Sequence, residues 1–179
     1  MNPAAAALAP PVRRLRVADA ADYQALRLRA LCEHPEAFTS SCAEEQARPL
    51  AWAEARLRDD PSRPHDVFLG AYWGDRLAGI VGLQGRYRPK ERHNATVVGL
   101  YVAPELAGRG LGRALMNDLL ARARALADVA QLDLTVTEGN HAAQSLYARC
   151  GFSVFGRQPN AIRLDGREFA KLHMLLRLR

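Results

Sequence analysis

The sequence has few cysteines, few aromatic residues and no long apolar run. Its three cysteines, Cys32, Cys42 and Cys150, are widely spaced and form no CxxC pair. This usage fits unpaired thiols in a reducing cytoplasm better than a disulfide framework or a zinc site. The longest uncharged apolar run, residues 4–12, is far shorter than the ~20 residues that a membrane-spanning helix needs. The sequence therefore predicts a cytoplasmic protein without disulfides, metal sites or membrane spans.

The amino terminus also lacks the positive charge that precedes the apolar stretch of a signal peptide. Arg13 and Arg14 follow that stretch instead, so residues 1–11 are predicted to be a disordered lead-in. The remaining residues, 12–179, are numerous enough for one hydrophobic core and too few for two. One domain is therefore expected.

Basic residues outnumber acidic residues, with 25 Lys and Arg against 19 Asp and Glu and a net charge of +6. A nucleic acid or a small phosphorylated ligand is therefore a candidate partner. However, no Lys/Arg run is longer than Arg13–Arg14, and the aromatic residues, 7% of the chain, are not interleaved with basic ones. Because proteins that bind single strands combine both features, nucleic-acid binding is not expected.

Hydrophobic periodicity predicts alternating strands and helices. Predicted helices cover residues 19–33, 52–60, 111–123 and 142–149, and residues 34–49 are predicted to be irregular. Predicted strands cover residues 12–17, 67–73, 77–83, 95–102, 132–136, 152–156, 162–164 and 169–178. Gly99 lies inside the fourth strand, where a glycine often marks a β-bulge. The pattern predicts a single α/β domain with a mostly antiparallel sheet.

A glycine-rich turn, Gly108, Gly110 and Gly112, connects a predicted strand to a helix. Such glycines let backbone N–H groups converge at a helix start, where the helix dipole also favours an anion such as a pyrophosphate. A P-loop is excluded because no Lys followed by Ser or Thr comes after the glycines. A dinucleotide GxGxxG is excluded because Arg113 and Leu115 stand at the third-glycine positions. The glycines could also simply cap a loop, and this alternative stays open.

Two motifs in this order resemble a known family. The first is Gly99-Leu100-Tyr101-Val102, followed by Pro104-Glu105 and the three glycines; the second, about thirty residues later, is Asn140-x-x-Ala143-x-x-Leu146-Tyr147 with Gly151-Phe152. They resemble the GNAT superfamily of acyl-CoA-dependent N-acetyltransferases over nearly the whole of residues 12–178. The resemblance implies a central sheet that is splayed at the bulged strand and flanked by helices. It also implies acetyl-CoA in the resulting cleft and acetyl transfer to an amine.

The resemblance implies roles for individual residues. Leu100, Tyr101 and Val102 would offer backbone groups to the pantetheine arm. Asn140 would contact that arm or the thioester region, and Tyr147 would protonate the departing thiolate. The pyrophosphate would bind at a turn made of Ala107, Gly108, Arg109, Gly110, Leu111, Gly112 and Arg113.

Three of these positions invite other interpretations. The family's turn usually begins with Arg or Gln, so Ala107 removes one side-chain contact while leaving the backbone amides. Tyr147 could be a packed core aromatic with its hydroxyl satisfied. Asn140 could cap the helix that follows it, which is compatible with a contact to the cofactor.

The general base is not evident from the sequence. Many family members have a Glu on the strand before the turn, but residues 96–98 here are Thr-Val-Val. Proton removal by ordered water or by a carboxylate from elsewhere is then expected. Residues 33–46 contain no Lys or Arg, and Glu44 and Glu45 in this acidic segment are predicted to attract a cationic amine. A solvated surface is the alternative for the segment.

The motifs and the resemblance together predict an acetyl-CoA-dependent N-acetyltransferase. A primary amine would attack the thioester directly, with no metal and no covalent enzyme intermediate. A small amine or an amino acid is favoured as the acceptor. A protein N-acetyltransferase and a non-catalytic acyl-CoA-binding domain of the same fold are the alternatives, and a homodimer is left open.

Overall fold

The chain folds around one seven-stranded sheet, seen in a computed structural model that describes residues 10–179. The strands are β1 (Val12–Arg14), β2 (Val67–Trp73), β3 (Arg76–Gly85), β4 (Asn94–Val102), β5 (Gln131–Thr137), β6 (Ser153–Leu164) and β7 (Arg167–Arg177). The helices are α1 (Ala20–Glu33), α2 (Cys42–Gln46), α3 (Leu50–Leu57), α4 (Leu111–Ala125) and α5 (His141–Arg149). The strand order in the sheet is β1-β2-β3-β4-β5-β7-β6.

All neighbouring strands run antiparallel except β4 and β5 at the centre of the sheet. These two parallel strands pair only through residues 94–96 and 131–133. Beyond that point they separate, although β4 continues to Val102 and β5 to Thr137. The predicted α/β class, the mostly antiparallel sheet and the splay at its centre are therefore confirmed.

A β-bulge lies in β4 where the sheet opens. Between the pairs Gly82–Val98 and Ile80–Tyr101, β4 contains one more residue than β3. Gly99 lies in this stretch with a φ of 64°, in the left-handed region that a glycine reaches without a Cβ clash. The bulge predicted from the mid-strand glycine is confirmed.

Helices cover both faces of the sheet. Helix α4 packs on one face through Leu111, Leu115 and Leu119, which recur at helical spacing and are almost fully buried. Such spacing is what gives a helix one apolar side. Helices α1 and α3 pack on the other face through a second apolar cluster that includes Tyr23 and Leu57. The opening between β4 and β5 is therefore held between two packed layers.

Several details of the secondary structure differ from the prediction. The first strand, predicted to reach residue 17, ends at Arg14, and the second predicted helix covers Leu50–Leu57 instead of residues 52–60. Residues 34–49, predicted to be irregular, contain α2. Its start is a capping box, in which the Ser41 hydroxyl accepts the N–H of Glu44 (3.1 Å) and the Glu44 carboxylate accepts the N–H of Ser41 (2.7 Å). The strands predicted at residues 152–156 and 162–164 both belong to β6, which continues through a change of register.

The interpretation of the cysteines as unpaired thiols is wrong for two of them. Cys32, in the last turn of α1, and Cys42, the first residue of α2, form a disulfide with their Cα atoms 4.9 Å apart. Cys150 is free. The bond closes a loop over residues 33–41. The two cysteines become neighbours only when α2 forms against the end of α1, so their spacing in the sequence does not reveal the bond.

The lead-in predicted for residues 1–11 falls mostly outside the described residues. Pro11 is described, and its carbonyl accepts the N–H of Tyr72 at 3.0 Å. None of the helices within residues 10–179 has the length and apolar character needed to cross a membrane. The same part of the chain brings no three His, Cys, Asp or Glu side chains together in a way that could hold a metal ion.

Candidate active site

A cleft of about 520 Å³ opens where β4 and β5 separate. One wall is the bulged part of β4, residues 96–100, and the opposite wall is the end of β5, residues 135–137. Residues 37–40, between α1 and α2, contribute to a third wall. Leu100 of the first motif and Asn140 of the second both line this cleft. The two motifs that are separate in the sequence therefore meet at one place.

The glycine turn presents backbone N–H groups to open space. Gly108 has a φ of 76° and Gly110 a φ of 84°, and a Cβ built on either would meet no atom within 4 Å. Within residues 10–179, the amides of both glycines lack a carbonyl partner, whereas the Arg109 amide donates to the Leu106 carbonyl at 3.2 Å. Helix α4 begins directly afterwards with its own unpaired N–H groups. The turn can therefore hold an anionic group, although the amide of Arg109 is not free for it.

The side chains of Ala107, Arg109 and Arg113 in the turn are exposed to solvent, whereas that of Leu111 is buried. Arg113 lies in the first turn of α4, and the Arg109 guanidinium lies 5.5 Å from the centroid of the Trp73 ring, a cation–π distance. Ala107 offers no side-chain donor, and its amide donates to the Pro104 carbonyl at 3.0 Å. Anion binding at this turn would thus depend on backbone amides, with two exposed cations nearby.

The three β4 residues assigned to the pantetheine arm lie beyond the point where β5 leaves the strand. Tyr101 and Val102 pair with β3 on one edge, and no strand pairs with them on the other edge in the described part of the chain. The Tyr101 side chain lies on the α1 face, where its hydroxyl donates to Glu33 Oε2 at 2.6 Å. The open edge offers backbone groups to an extended ligand, as an edge strand does for a peptide.

Asn140 caps α5 and lines the cleft at the same time. Its Oδ1 accepts the N–H of Ala143 at 3.1 Å, so the capping interpretation is confirmed. A Cβ built on Gly112 would lie 3.2 Å from the Leu146 side chain. This contact places the start of α4 directly against α5, which leaves little room for a side chain at Gly112.

Tyr147 has a buried ring and a hydroxyl without a protein partner. Its exposed fraction is 8%, and the ring packs edge-to-face against Phe152 with centroids 6.1 Å apart. The residue lines the cleft, and burial raises the pKa of its hydroxyl above the ordinary value. Such a group keeps its proton at neutral pH, so it can donate a proton and cannot serve as a base. Within residues 10–179 the hydroxyl has no hydrogen-bond partner, so it is available to water or to a ligand in the cleft.

Carboxylates are missing from the walls of the cleft, as far as the described residues form them. Thr96, on the strand where many family members have a Glu, donates its hydroxyl to Asp133 Oδ1 at 2.9 Å. Asp133 also accepts from Arg86 at 2.9 Å. Lys171 lines the cleft, is 8% exposed and donates to the Thr39 hydroxyl at 3.1 Å. Burial lowers the pKa of Lys171 from its ordinary value.

The two glutamates singled out in the acidic segment, Glu44 and Glu45, do not line the cleft. The Glu45 side chain is fully buried, and its Oε1 accepts from Arg27 Nε at 2.9 Å. Glu44 is exposed, and its bonds to Ser41 in the capping box hold the pKa of its carboxylate below the usual range. Burial, ion pairing and capping therefore occupy both side chains. Their expected attraction of a cationic amine has no support in this geometry.

One wall of the cleft is cationic, a feature not predicted from the sequence. Arg27, Arg48, Arg56 and Lys171 line this wall together with Trp52. Trp52 and Arg56 are four residues apart within α3, a spacing that places both side chains on one side of the helix, so this pair could have been predicted. Arg48 lies before the start of α3. Arg27 and Lys171 come from α1 and β7, and only the tertiary fold brings them to the same wall.

Comparison with known proteins identifies the family. The model of the acetyltransferase (GNAT) family matches residues 16–152. The chain belongs to this family. It is an acetyl-CoA-dependent acyltransferase, and the resemblance carried by the two motifs is confirmed.

Characterised relatives of this GNAT protein act on different acceptors. N-alpha-acetyltransferase RimI from Mycobacterium tuberculosis is 33% identical over 131 residues, which are 70% of this chain and 78% of RimI. L-methionine sulfoximine/L-methionine sulfone acetyltransferase from Pseudomonas paraeruginosa is 30% identical over 133 residues, 74% of each chain. The family is therefore established, and the acceptor differs between its members.

Solved structures share the fold of this GNAT domain along most of its length. An acetyltransferase of the GNAT family from Streptococcus pneumoniae has a TM-score of 0.85 and 25% identity, with 93% of this chain and 98% of that chain covered. The structure of yncA from Salmonella typhimurium, which contains its cofactor acetyl-CoA, has a TM-score of 0.77 and 24% identity, with 95% and 94% covered. The arrangement of sheet and helices is thus that of the family.

Proposed function

We propose that this protein transfers the acetyl group of acetyl-CoA to the primary amine of a small molecule or an amino acid. The observation that carries the proposal is the cleft between β4 and β5, with the unpartnered Tyr147 hydroxyl on its wall. The glycine turn leads into Gly112, where a Cβ would lie 3.8 Å from the Val102 side chain on β4 and 3.2 Å from the Leu146 side chain on α5. The open edge of β4 would hold an extended arm of one long ligand, and the glycine turn would hold its anionic end.

The residues present fit acetyl-CoA. When it is bound, it supplies the thioester that the amine attacks. The amides of Gly108 and Gly110 and the first turn of α4 would hold the pyrophosphate, while the β4 edge at Leu100, Tyr101 and Val102 would hold the pantetheine arm. Because the backbone supplies most of these contacts, Ala107 in place of Arg or Gln does not prevent them.

Tyr147 is the proposed proton donor. A departing thiolate has a conjugate acid with a pKa near ~8.5, so it leaves fairly well without help and gains from a nearby proton. Burial keeps the Tyr147 hydroxyl protonated, and the hydroxyl has no competing protein acceptor. Water would then return the proton to Tyr147 after each turnover.

Removal of the proton from the acceptor is proposed to occur through water. A typical alkylammonium group has a pKa near ~10.4 and must lose a proton before it attacks. The cleft walls offer no carboxylate within the described residues, which leaves water as the simplest acceptor. The positive charges of Arg27, Arg48 and Lys171 would repel the ammonium group of an acceptor in the cleft. They would therefore lower the pKa of that group.

Relatives support two acceptor classes. The Pseudomonas relative is named for amino-acid-like acceptors, which agrees with a cleft enclosed on several sides. RimI, named an N-alpha-acetyltransferase, supports a second candidate, the amino terminus of a protein. The two differ in what is attached to the carbon next to the amine: a free acid in an amino acid and a peptide bond in a protein.

The test is an acceptor panel with the purified chain. Release of free thiol from acetyl-CoA would be measured with amines, amino acids and short peptides, and the acetylated product identified by mass spectrometry. We expect thiol release that depends on the acceptor and a product heavier by one acetyl group on nitrogen. Thiol release that is independent of every acceptor would contradict the proposal.

A further inference from the structure

Three guanidinium groups surround one indole ring on the acidic-segment side of the cleft. The Cζ atoms of Arg48, Arg56 and Arg27 lie 4.5, 5.2 and 5.6 Å from the centroid of the Trp52 ring. We call Arg27, Arg48, Trp52 and Arg56 the arginine wall. Stacking on an aromatic face fixes the plane of a guanidinium group and leaves its N–H groups at the edge free to bind.

The positive charge of the arginine wall is only partly balanced. Its neighbouring carboxylate is Glu45, which accepts from Arg27 at 2.9 Å and lies 3.6 Å from Arg48 Nε. That distance is too long for a hydrogen bond, and Arg48 Nε is a buried donor without a partner. Lys171 adds a further cation to the cleft. The wall therefore has excess positive charge and unused donors.

Two arginines of the wall have terminal N–H groups to offer. Arg56 donates through Nε to the Tyr23 hydroxyl at 2.9 Å, which anchors its position. Within residues 10–179, the Nη groups of Arg56 and all the side-chain nitrogens of Arg48 donate to no acceptor. Both side chains line the cleft. An anionic ligand in the cleft would satisfy them.

We propose that the amine acceptor carries a carboxylate close to its amine, and that Arg48 and Arg56 bind this carboxylate. This inference rests on the proposed function and names the class of its acceptor, an amino acid with a free carboxyl group. A guanidinium fork matches the two oxygens of a carboxylate, and such charge-assisted pairs are stronger than neutral hydrogen bonds. Trp52 and Phe38 supply apolar surface beside the pair.

Arg27 connects the arginine wall to the opening in the sheet. A Cβ built on Gly99, in the bulge of β4, would lie 3.7 Å from Arg27 Nη1. A carboxylate bound to the wall thus lies close to the strand edge that would hold the pantetheine arm. The amine of the same small molecule is then brought near the bulge, which is the geometry that direct attack requires.

The first experiment compares acceptors that differ only in the acid group. L-Amino acids such as methionine and phenylalanine would be assayed against their carboxamides and the corresponding amines without the carboxyl group. We expect kcat/KM for the acid to exceed that for the amide by roughly 10- to 100-fold, as loss of a hydrogen-bonded charge does. The amide has the less basic amine, so at neutral pH this bias works against the expected result.

Each outcome of this panel has a distinct meaning. Equal or better turnover of the amides and amines would overturn the carboxylate proposal while leaving the proposed function intact. Better turnover of a peptide with a free amino terminus and an amidated end would also overturn it, in favour of a protein acceptor. Failure of every amine, with acid or without, would overturn the proposed function itself.

The second experiment tests the two arginines. Arg48→Gln and Arg56→Gln should each raise KM for the acid acceptor by roughly tenfold while leaving KM for the amide and for acetyl-CoA near the parental values. Arg163→Gln, at an exposed site on β6 where Arg163 pairs with Glu168, is the matched control. An equal KM increase for acid and amide would mean that the arginines only maintain the structure.

A measurement on the unmodified chain keeps the proposal testable if a variant fails to fold. A carboxylic acid with the same side chain but no amine should inhibit competitively against the acceptor and not against acetyl-CoA. The uncharged amide of that acid should inhibit at least roughly tenfold more weakly. Equal inhibition by acid and amide would contradict binding of the carboxylate at the arginine wall.

Discussion

The two sides of the cleft are made of different chemical groups. On the side formed by β4, the glycine turn and the start of α5, which we call the motif side, the available groups are mainly backbone amides and strand edges. On the arginine wall the available groups are charged side chains from α1, α3 and the segment before α3. The fold alone determines what backbone groups can bind, whereas charged side chains determine which ligand charge the site prefers.

Because of this difference, we expect the motif side to bind the acyl donor and the arginine wall to select the acceptor. A substitution on the arginine wall changes charge without moving the strand edge, so the acceptor can change while the donor site persists. A substitution at the glycine turn changes the backbone or its immediate surroundings and affects any acceptor equally. Variants on the two sides should therefore alter different kinetic constants.

The largest expected effect is on the motif side. Gly110→Asp places a carboxylate where the unpaired amides converge, so we expect acetyl-CoA to bind roughly a thousandfold more weakly, about 4 kcal/mol. Isothermal titration calorimetry would measure the affinity. Gly166→Asp is the matched control, because Gly166 has a similar φ of 76° and equally open surroundings in the turn between β6 and β7. Equal affinities of the two variants for acetyl-CoA would contradict the assignment of the pyrophosphate to this turn.

The motif side could be predicted from the sequence because its parts are local. The bulge at Gly99, the turn at Gly108 and Gly110, and the cap at Asn140 each depend on residues within a few positions of one another. A glycine with positive φ or a capping side chain is a short-range feature that a single sequence reveals.

The arginine wall could not be predicted in the same way. Arg27 and Lys171 are far apart in the sequence and meet only through the fold. Glu45, predicted to attract a cationic amine, is instead buried and paired with Arg27, and a buried ion pair between distant segments leaves no local pattern. The Cys32–Cys42 disulfide was not predicted for a related reason, since the two cysteines become neighbours only when α2 packs against the end of α1.

The next largest effect is expected at Tyr147, where the two sides meet. Tyr147→Phe should lower kcat by about 10- to 1,000-fold, roughly 1.4 to 4 kcal/mol, with little change in acetyl-CoA affinity. The ring and its packing against Phe152 are retained, so folding should be close to parental. Steady-state kinetics with the best acceptor would measure the change.

Tyr87→Phe is the control for the loss of a tyrosine hydroxyl. The Tyr87 hydroxyl bonds to Asp66 at 2.7 Å and lies away from the cleft walls. Its removal should leave kcat unchanged. A Tyr147→Phe variant with parental kcat would make the tyrosine structural and leave water as the proton donor, and a variant that no longer binds acetyl-CoA would also contradict the assigned role.

A smaller effect is expected from the disulfide on the other side of the cleft. Replacement of Cys32 and Cys42 by Ser opens a loop whose cysteines are 10 positions apart, and chain entropy predicts a loss of about 2–3 kcal/mol in the free energy of unfolding. Urea denaturation would measure this loss, with Cys150→Ser as the control.

The same double variant also tests whether the acceptor side of the cleft can be perturbed without a change in KM for acetyl-CoA. Residues 37–40 line the cleft, and Thr39 receives the hydrogen bond of Lys171. Loosening this loop should raise KM for the acceptor severalfold and leave KM for acetyl-CoA nearly unchanged. An equal rise in both constants would show that the loop supports the whole cleft and not only its acceptor side.

The smallest effect is expected from a side chain on the motif side. Arg109 is exposed, and its Cζ lies 5.5 Å from the centroid of the Trp73 ring. Because exposed charges contribute about 0–1 kcal/mol, Arg109→Ala should weaken acetyl-CoA binding by only about two- to fivefold, far less than Gly110→Asp. Calorimetry at low and high salt should show that the difference in acetyl-CoA affinity between Arg109→Ala and the parent decreases as screening increases. A loss as large as that of Gly110→Asp would mean that side chains, and not backbone amides, supply most of the binding on this side of the cleft.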